Sequence, residues 1–296
     1  MTSATHLMMA PRGSRWRAAS NLLLDTWEGR IGCLLFGFFV FIAVAGPLLV
    51  GSEPMRVHYL ADGKVARLLT PVEFGPLGTD YYGRDVAAQL VIGARTALIV
   101  SLLSTLIMAL VGTNIGLVAG YFGGRIDALL MRFTDLAYSV PFLPFAVILV
   151  ALLRPSLWNI VLTISVLMWR TTARVIRSQV MSVRQQTFVK AARVAGASHA
   201  RIIYHHIFPN VLPLALLYLA FGISYSVLSE ASLAFLGFGD PERMSWGQML
   251  YFAYTSASIR TAWWWTVPPG ACITLFVLSV FLIGRQFERY ASPKLV

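Results

Sequence analysis

Charged side chains are scarce in this chain, and acidic ones are the scarcest. Asp, Glu, Lys and Arg together make up 12% of the 296 residues, and only 13 residues are Asp or Glu. A soluble domain of this length would carry roughly a quarter charged residues. Hydrophobic residues reach 57%, so the composition excludes an ordinary soluble fold and predicts an all-α polytopic membrane protein.

The sequence also has few of the residues that build catalytic and metal sites. Its two cysteines, Cys33 and Cys272, both lie in apolar runs, which favours small packing residues over a disulfide framework or a metal cluster. It contains no GxxxxGK[ST] phosphate loop, no HExxH and no GxSxG. Three histidines cluster at His199, His205 and His206 without the carboxylates or thiolates that a zinc site needs. We therefore expect no catalytic residue, no metal site and no cofactor in this chain.

Apolar runs are abundant, and six of them are interpreted as membrane spans; the first has roughly the length that crosses a bilayer core of about 30 Å. The fourth is the weakest, because Arg170 and Arg174 stand at its end, where their side chains are expected to reach towards the interface. The first run is expected to be an anchor, since it is longer than the apolar part of a signal peptide. The runs are 31–50, 94–118, 136–153, 158–169, 211–235 and 263–283.

Basic residues predict the orientation of these spans. If the N-terminus is cytoplasmic, two thirds of the 24 Lys and Arg fall on the cytoplasmic side, as the positive-inside rule requires. Both termini are then cytoplasmic, and the net charge of +11 reflects topology and contact with the lipid bilayer, not nucleic-acid binding. The predicted order is a cytoplasmic segment 1–30, a first transmembrane helix 31–50, an extracytoplasmic loop 51–93, a core domain 94–285 and a cytoplasmic tail 286–296.

One polar segment, 188–210, separates two of the apolar runs and has the pattern of a helix–turn–helix. Gly196 is expected to end the first helix in a left-handed cap, and Ser198 to cap the second. Pro209 is expected to end the second helix before the next span. Two interpretations remain open: a docking element for a cytoplasmic protein, or a helix lying on anionic lipid. The small, apolar face of the first helix comprises Phe188, Ala191, Ala192 and Ala195.

This segment resembles the "EAA" loop of binding-protein-dependent ABC importer permeases, in which a coupling helix enters a groove on the ATP-binding subunit. The matching residues are Ala191, Ala192, Gly196, Ile207, Phe208, Pro209 and Asn210. Lys190 stands where the family usually has glutamate, so a neutral or acidic partner surface is expected there. The resemblance implies that the ATPase contact is made by Lys190, Ala191, Ala192, Gly196, Ala197, Ser198, Ile207 and Pro209.

A second set of motifs resembles the LGTDxxGRD…GAR signature of the second permease subunit of dipeptide, oligopeptide and nickel importers. Its extracytoplasmic residues are Gly78, Thr79, Asp80, Gly83, Arg84 and Asp85. Further matches follow in family order, up to about residue 291. They are 93–95, 120–124, 230–233, 235–237 and 245–247.

Together these resemblances imply a type I ABC importer transmembrane domain with about six helices, in a bacterial or archaeal cell membrane. The implied partners are a homologous second permease, two ATP-binding subunits that hold ATP and Mg, and an extracytoplasmic solute-binding protein. The implied substrates are peptides, with nickel, glutathione or oligosaccharides as alternatives. A gradient-driven secondary transporter is the rival class, and it would require mid-membrane charges and an inverted repeat.

The residues of the second signature also have a structural interpretation. They are turn formers just before the second span, where Asp80 or Asp85 can cap the entering helix. Pairing of these aspartates with Arg84 is favoured over cation binding, and contact with an external binding protein is the alternative. Glu230, in or near the fifth span, either lines a translocation path or is a buried carboxyl held by nearby hydroxyls, and we favour the second. The candidate hydroxyls are those of Ser226, Ser229 and Ser232.

Overall fold

The computed structural model describes residues 24–50 and 53–291, and most of these are helical. Three isolated β-bridges lie in the segment before the second helix. In chain order the helices are α1 (Trp27–Val50), α2 (Val86–Phe122), α3 (Gly124–Ser139), α4 (Phe142–Leu153), α5 (Leu157–Val183), α6 (Thr187–Val194), α7 (His199–Phe238), α8 (Trp246–Thr255) and α9 (Trp263–Ala291).

Four helices, α1, α2, α7 and α9, are long and apolar enough to cross a membrane. The pair α3 and α4 passes the same test as one broken span, bent by 85°. Helix α5, with 27 residues, is about 40 Å long, although its polar residues lower its hydropathy. The architecture agrees with the prediction of an all-α membrane protein with about six spans. Helix α2 begins at Val86, however, and not near residue 94.

The third predicted span, 136–153, is not one straight helix. Pro141 has no backbone N–H and pushes the residue before it out of the helical region, so Val140 is extended at φ −85° and ψ 117°. Helix α4 alone has 12 residues, or about 18 Å, which is too short to span the bilayer core. The break therefore places α3 and α4 at a steep angle.

The most extensive helix pair is formed by α2 and α5, and a stripe of glycines on α2 explains it. A Cβ at Gly112, Gly116 or Gly120 would lie 2.5, 2.7 or 2.8 Å from a backbone carbonyl oxygen of α5. Glycine at every fourth position therefore lets the two backbones approach more closely than any side chain would allow. This contact holds α2 and α5 as one rigid unit.

Arginine side chains of α5 bind α3 to the α2–α5 pair. Arg177 donates to both carboxylate oxygens of Asp127, at 2.5 and 2.6 Å, and Arg174 donates to Asp135 at 2.7 Å. Arg170 donates to the carbonyls of Ala137 and Val140, just before the α3–α4 break, and is only 7% exposed. The expectation that Arg170 reaches towards the interface is wrong, because its guanidinium lies among backbone carbonyls of α3.

Candidate functional site

Two motif-bearing regions lie at opposite ends of α2, which at 37 residues is about 55 Å long. We call residues 187–207 the knob; they comprise α6, a turn and the first part of α7. We call residues 53–85 together with α8 the cap. The knob packs on the C-terminal end of α2, and the cap joins its N-terminal end.

The turn of the knob follows the sequence closely. Gly196 has φ +77°, and the N–H of Ala197 bonds the carbonyl of Ala192 at 3.1 Å, as in a Schellman cap. The Ser198 hydroxyl then accepts from the N–H of Arg201 at 3.3 Å and caps α7. Both predicted caps are confirmed.

The predicted end of the second helix at Pro209 is wrong, because α7 continues through this residue as far as Phe238. A π-helical stretch, Ile202–Ile207, lies immediately before the proline, and the N–H of Phe208 bonds the carbonyl of Ile203, five residues back. This wider turn relieves the clash that a proline ring makes in an α-helix. The knob is thus continuous with a membrane-crossing helix.

The inner face of the knob is a small hydrophobic core. Val189, Ile202 and Ile207 have no exposed surface, and Ile203 retains 4%. They pack against α2 and α5, so movement of the knob must be transmitted to that rigid pair. The opposing buried residues are Leu117, Tyr121, Ile176, Val180 and Val183.

Polar contacts add to this attachment. The Tyr121 hydroxyl lies 2.8 Å from Nδ1 of His199, and the Arg193 guanidinium lies 5.8 Å from the Tyr121 ring centroid. Arg184 donates to the carbonyls of Gly120 and Tyr121 at 3.0 and 3.2 Å, which satisfies the C-terminal end of α2.

Among the described residues no group of three or more His, Cys, Asp or Glu side chains could hold a metal ion.

The outer face of the knob is apolar and exposed. Val194 is 90% exposed and Phe188 is 44% exposed, with Ala191 and Ala195 exposed beside them. Lys190 is also exposed and makes no ion pair within the described part of the chain. The predicted face is therefore partly wrong: Ala192 turns towards the core, and Val194 takes part instead.

The cap places its signature residues in the interior. Gly78, Thr79, Asp80 and Gly83 are all buried. Oδ1 of Asp80 accepts from the backbone N–H groups of Tyr82 and Arg84, both at 2.8 Å, and Oδ2 accepts from Gln89 at 3.0 Å. Burial raises the pKa of the Asp80 carboxyl above its ordinary value, although these hydrogen bonds oppose the rise.

Asp85 and Arg84 complete the junction between the cap and α2. Asp85 caps α2 by accepting from the N–H groups of Ala87 and Ala88, at 2.8 and 3.3 Å, as predicted. The predicted pairing of Arg84 with the aspartates is only partly confirmed: the Arg84 charge attracts the Asp80 carboxylate and its backbone N–H donates to it, but no direct ion pair forms in the described chain. The Arg84 guanidinium instead lies over the Tyr82 and Phe252 rings, 4.8 and 5.6 Å from their centroids.

Three of the remaining motifs, 93–95, 230–233 and 245–247, meet around Trp246, at the first turn of α8. Its ring is 1% exposed, its Nε1 donates to the carbonyl of Leu90 at 2.9 Å, and a Cβ at Gly93 would lie 2.8 Å from it. Glu230 is 3% exposed, and the hydroxyl that interacts with its carboxyl group is that of Ser245. The predicted partners Ser226 and Ser232 bond elsewhere, to Thr105 and to the Leu228 carbonyl.

Sequence reasoning missed two features of these regions. The glycine stripe was readable from its spacing of four residues, a known signal for close membrane helices. The exposure of Val194 could not be predicted from the sequence, because it depends on how α6 is rotated against α2 and α5.

Comparison with known proteins agrees with these features. Residues 112–296 match the family described as "Binding-protein-dependent transport system inner membrane component". The chain is 34% identical, over 95% of its length and 91% of the relative, to a dipeptide transport system permease protein of Alkalihalophilus pseudofirmus. It is 37% identical, over 73% of its length and 70% of the relative, to an oligopeptide transport system permease protein of Haemophilus influenzae.

A di/tripeptide transport system permease protein of Pseudomonas aeruginosa shares 34% identity over 90% of this chain and 89% of its own length. The family match includes α5, the knob, α7 and α9, and these relatives extend the similarity over the cap and α1. The chain therefore belongs to the family of binding-protein-dependent transport system inner membrane components.

Proposed function

We propose that this chain is the permease subunit of an ATP-driven peptide importer, in which the knob couples the membrane helices to an ATPase. The single observation that carries the proposal is the construction of the knob. It has an exposed apolar outer face, and its buried inner face is fastened to α2, α5 and α7. Such an element passes a force from a partner to the spans without chemistry of its own.

The proposed partners follow from this architecture. Two ATP-binding subunits dock on the knobs of this chain and of a homologous second permease, and they hold the ATP and Mg. A solute-binding protein docks at the opposite end, near the cap. Both termini and the knob are then cytoplasmic, as the distribution of Lys and Arg favours.

The coupling residues within the knob divide into three groups. Lys190 and Ala191 lie on the exposed outer face and contact the ATPase, whereas Ala192 and Ile207 lie towards the inner core. Gly196, Ala197 and Ser198 set the turn between the two helices. Pro209 lies just beyond the knob, where the π-helical stretch meets the rest of α7.

Peptides are the proposed substrates, since dipeptide, oligopeptide and di/tripeptide permeases are among the relatives. Nickel, glutathione and oligosaccharides remain the alternatives. The gradient-driven secondary transporter is the rival, and a requirement for ATP distinguishes the two.

The test is uptake of a radiolabelled dipeptide into proteoliposomes that contain the permeases and ATP-binding subunits, with binding protein outside. We expect uptake only with ATP on the ATPase side and only with binding protein present. Uptake driven by an ion gradient without ATP would refute the proposal. Uptake of nickel, glutathione or an oligosaccharide in place of peptides would keep the ATP-driven mechanism and change the substrate.

A further inference from the structure

A cavity of about 360 Å³ lies between α2, α3, α5 and α7, in the range of roughly 300–1,000 Å³ of small-molecule sites. Thr171 and Tyr225, which line it, are exposed, so the cavity opens at the surface of the chain. It lies between the knob and the cap along these helices. The lining side chains considered below are Met108, Tyr138, Arg170, Thr171, Tyr218 and Tyr225.

Arg170 distinguishes this cavity from a packing defect. It lies halfway along α5 and is 7% exposed. Its two neighbours in the row of arginines, Arg174 and Arg177, are paired with Asp135 and Asp127. No carboxylate of the described chain pairs with Arg170, so the cavity contains a buried positive charge without a counter-ion, which is costly unless a ligand supplies one.

The Arg170 guanidinium also has N–H donors that are available to a ligand. Within the described residues both of its hydrogen bonds, to the carbonyls of Ala137 and Val140, come from Nη1. The Tyr138 ring lies 4.9 Å from its central carbon and covers one side of it. The Nε and Nη2 donors are therefore available for a planar, bidentate acceptor, and a carboxylate has that geometry.

The other lining residues fit the remainder of a short peptide. Tyr218 and Tyr225 contribute aromatic rings to the lining, which suit apolar or cationic groups, and Met108 is a flexible apolar contact that tolerates varied shapes. No acidic side chain lines the cavity in the described structure, so its charge selects an anionic group and not a cation such as nickel.

We infer that this cavity is a transient substrate site in which Arg170 binds the C-terminal carboxylate of the peptide. The inference rests on the proposed function and adds a specificity-determining residue to it. The aromatic rings and the Met108 thioether do not select particular peptide side chains. The site therefore recognises the C-terminal carboxylate, which all peptides have.

The experiment measures equilibrium binding of a radiolabelled dipeptide to the purified permease–ATPase complex without its binding protein. The complex is held in nanodiscs of zwitterionic lipid, so that no lipid anion competes, and is tested with and without a non-hydrolysable ATP analogue. The free-acid dipeptide is compared with its C-terminal amide. In at least one nucleotide state we expect the acid to bind about tenfold or more tightly than the amide, as charge-assisted hydrogen bonds imply.

Three variants separate recognition from stability. Arg170→Gln should lower acid binding to the level of the amide, and Arg170→Lys should retain part of the preference because it keeps the charge. Arg177→Gln is the matched control two turns away, paired with Asp127 outside the cavity lining, and should leave the preference unchanged. A purely structural role of Arg170 at the α3–α4 break would instead weaken acid and amide binding equally.

Absence of binding in both nucleotide states, or equal binding of acid and amide by the wild type, would overturn the inference even if Arg170→Gln does not fold. An equal loss of both ligands in Arg170→Gln would overturn it as well. ATP-dependent uptake by the complete system is measured in parallel. If peptides are transported and these binding results fail, the site is wrong and the proposed function stands.

Discussion

The knob and the cap both carry motifs of the same family, but the two regions differ in how far their motif residues are buried. In the cap the signature residues are interior: Thr79 and Asp80 have no exposed surface, and the polar atoms of Asp80 are bonded within the chain. In the knob the outer face remains uncovered, with Val194 90% exposed. The members of a family can therefore share a motif because it builds the fold or because it contacts a partner. The burial of the motif's residues distinguishes these two cases.

The glycines of the two regions show the same contrast. Gly78 in the cap has φ +65°, and a Cβ there would lie 2.1 Å from the Leu69 carbonyl oxygen. Gly196 in the knob has φ +77°, and a Cβ there would meet nothing within 4 Å. The cap glycine is required by backbone contact, whereas the knob glycine is required by its conformation alone.

The largest effect is expected from Gly78→Ala. Its Cβ would overlap the Leu69 carbonyl in addition to the left-handed strain, so we expect about 3 kcal/mol or more of destabilisation. The measurement is thermal unfolding of the detergent-purified complex. Gly63→Ala is the control within the cap, because φ is +79° and nothing lies within 4 Å. Equal melting temperatures for the two variants would show that the close contact is unimportant.

The next effect concerns the exposed face of the knob. Val194→Asp places a charge on an apolar surface that the chain does not cover, so we expect transport to fall by about tenfold or more with a stability change within about 0.5 kcal/mol. Val72→Asp is the matched control, because Val72 lies in the cap and is 96% exposed. Since the cap is the proposed side of the binding protein, co-purification of the ATP-binding subunits is measured together with peptide uptake and melting temperature, and only Val194→Asp should reduce it. A parallel loss of the ATP-binding subunits from both variants would remove the distinction between the regions.

A smaller effect is expected at the knob turn. Gly196→Ala introduces only the left-handed strain, which costs about 1–2 kcal/mol, without any steric overlap. The melting temperature should fall by the same amount as for Gly63→Ala and by less than for Gly78→Ala. A loss as large as that of Gly78→Ala would mean that Gly196 makes close contacts.

The smallest effect is the part of the pH dependence of stability that Asp80 of the cap contributes. The pKa of Asp80 is raised by burial, so the folded cap holds its proton at pH values where the unfolded chain has lost it. Stability therefore falls as pH rises from the ordinary aspartate pKa, about 3.9, through the raised one, and then levels off. Melting temperatures between pH 4 and 7 should show this slope.

Asp80→Asn should remove that slope without unfolding the cap. Its Oδ1 can still accept from Tyr82 and Arg84. A 180° rotation of the Gln89 amide, whose Nε2 faces Asp80, would bring Oε1, which has no partner in the described structure, into position to accept from the new amide. A slope of the same size in Asp80→Asn would assign the pH dependence to another group.

Local patterns predicted some of this structure and not the rest. The helix–turn–helix of the knob follows from Gly196 and Ser198, and the start of α2 from Asp85, since caps depend on residues within one turn. The passage of α7 through Pro209 was not predictable, because it depends on a π-helical stretch that only packing specifies. The pairing of Arg177 with Asp127, 50 residues away, and the burial of Arg170 likewise depend on how α3 and α5 meet.

Photo-cross-linking in the assembled transporter, with Cys33 and Cys272 replaced by alanine, tests whether the outer face of the knob contacts the ATPase. A benzophenone label attached to Val194→Cys should form an adduct with an ATP-binding subunit, and the same label on Val72→Cys should not. No ATPase adduct from Val194→Cys, or equal adducts from both positions, would contradict this contact.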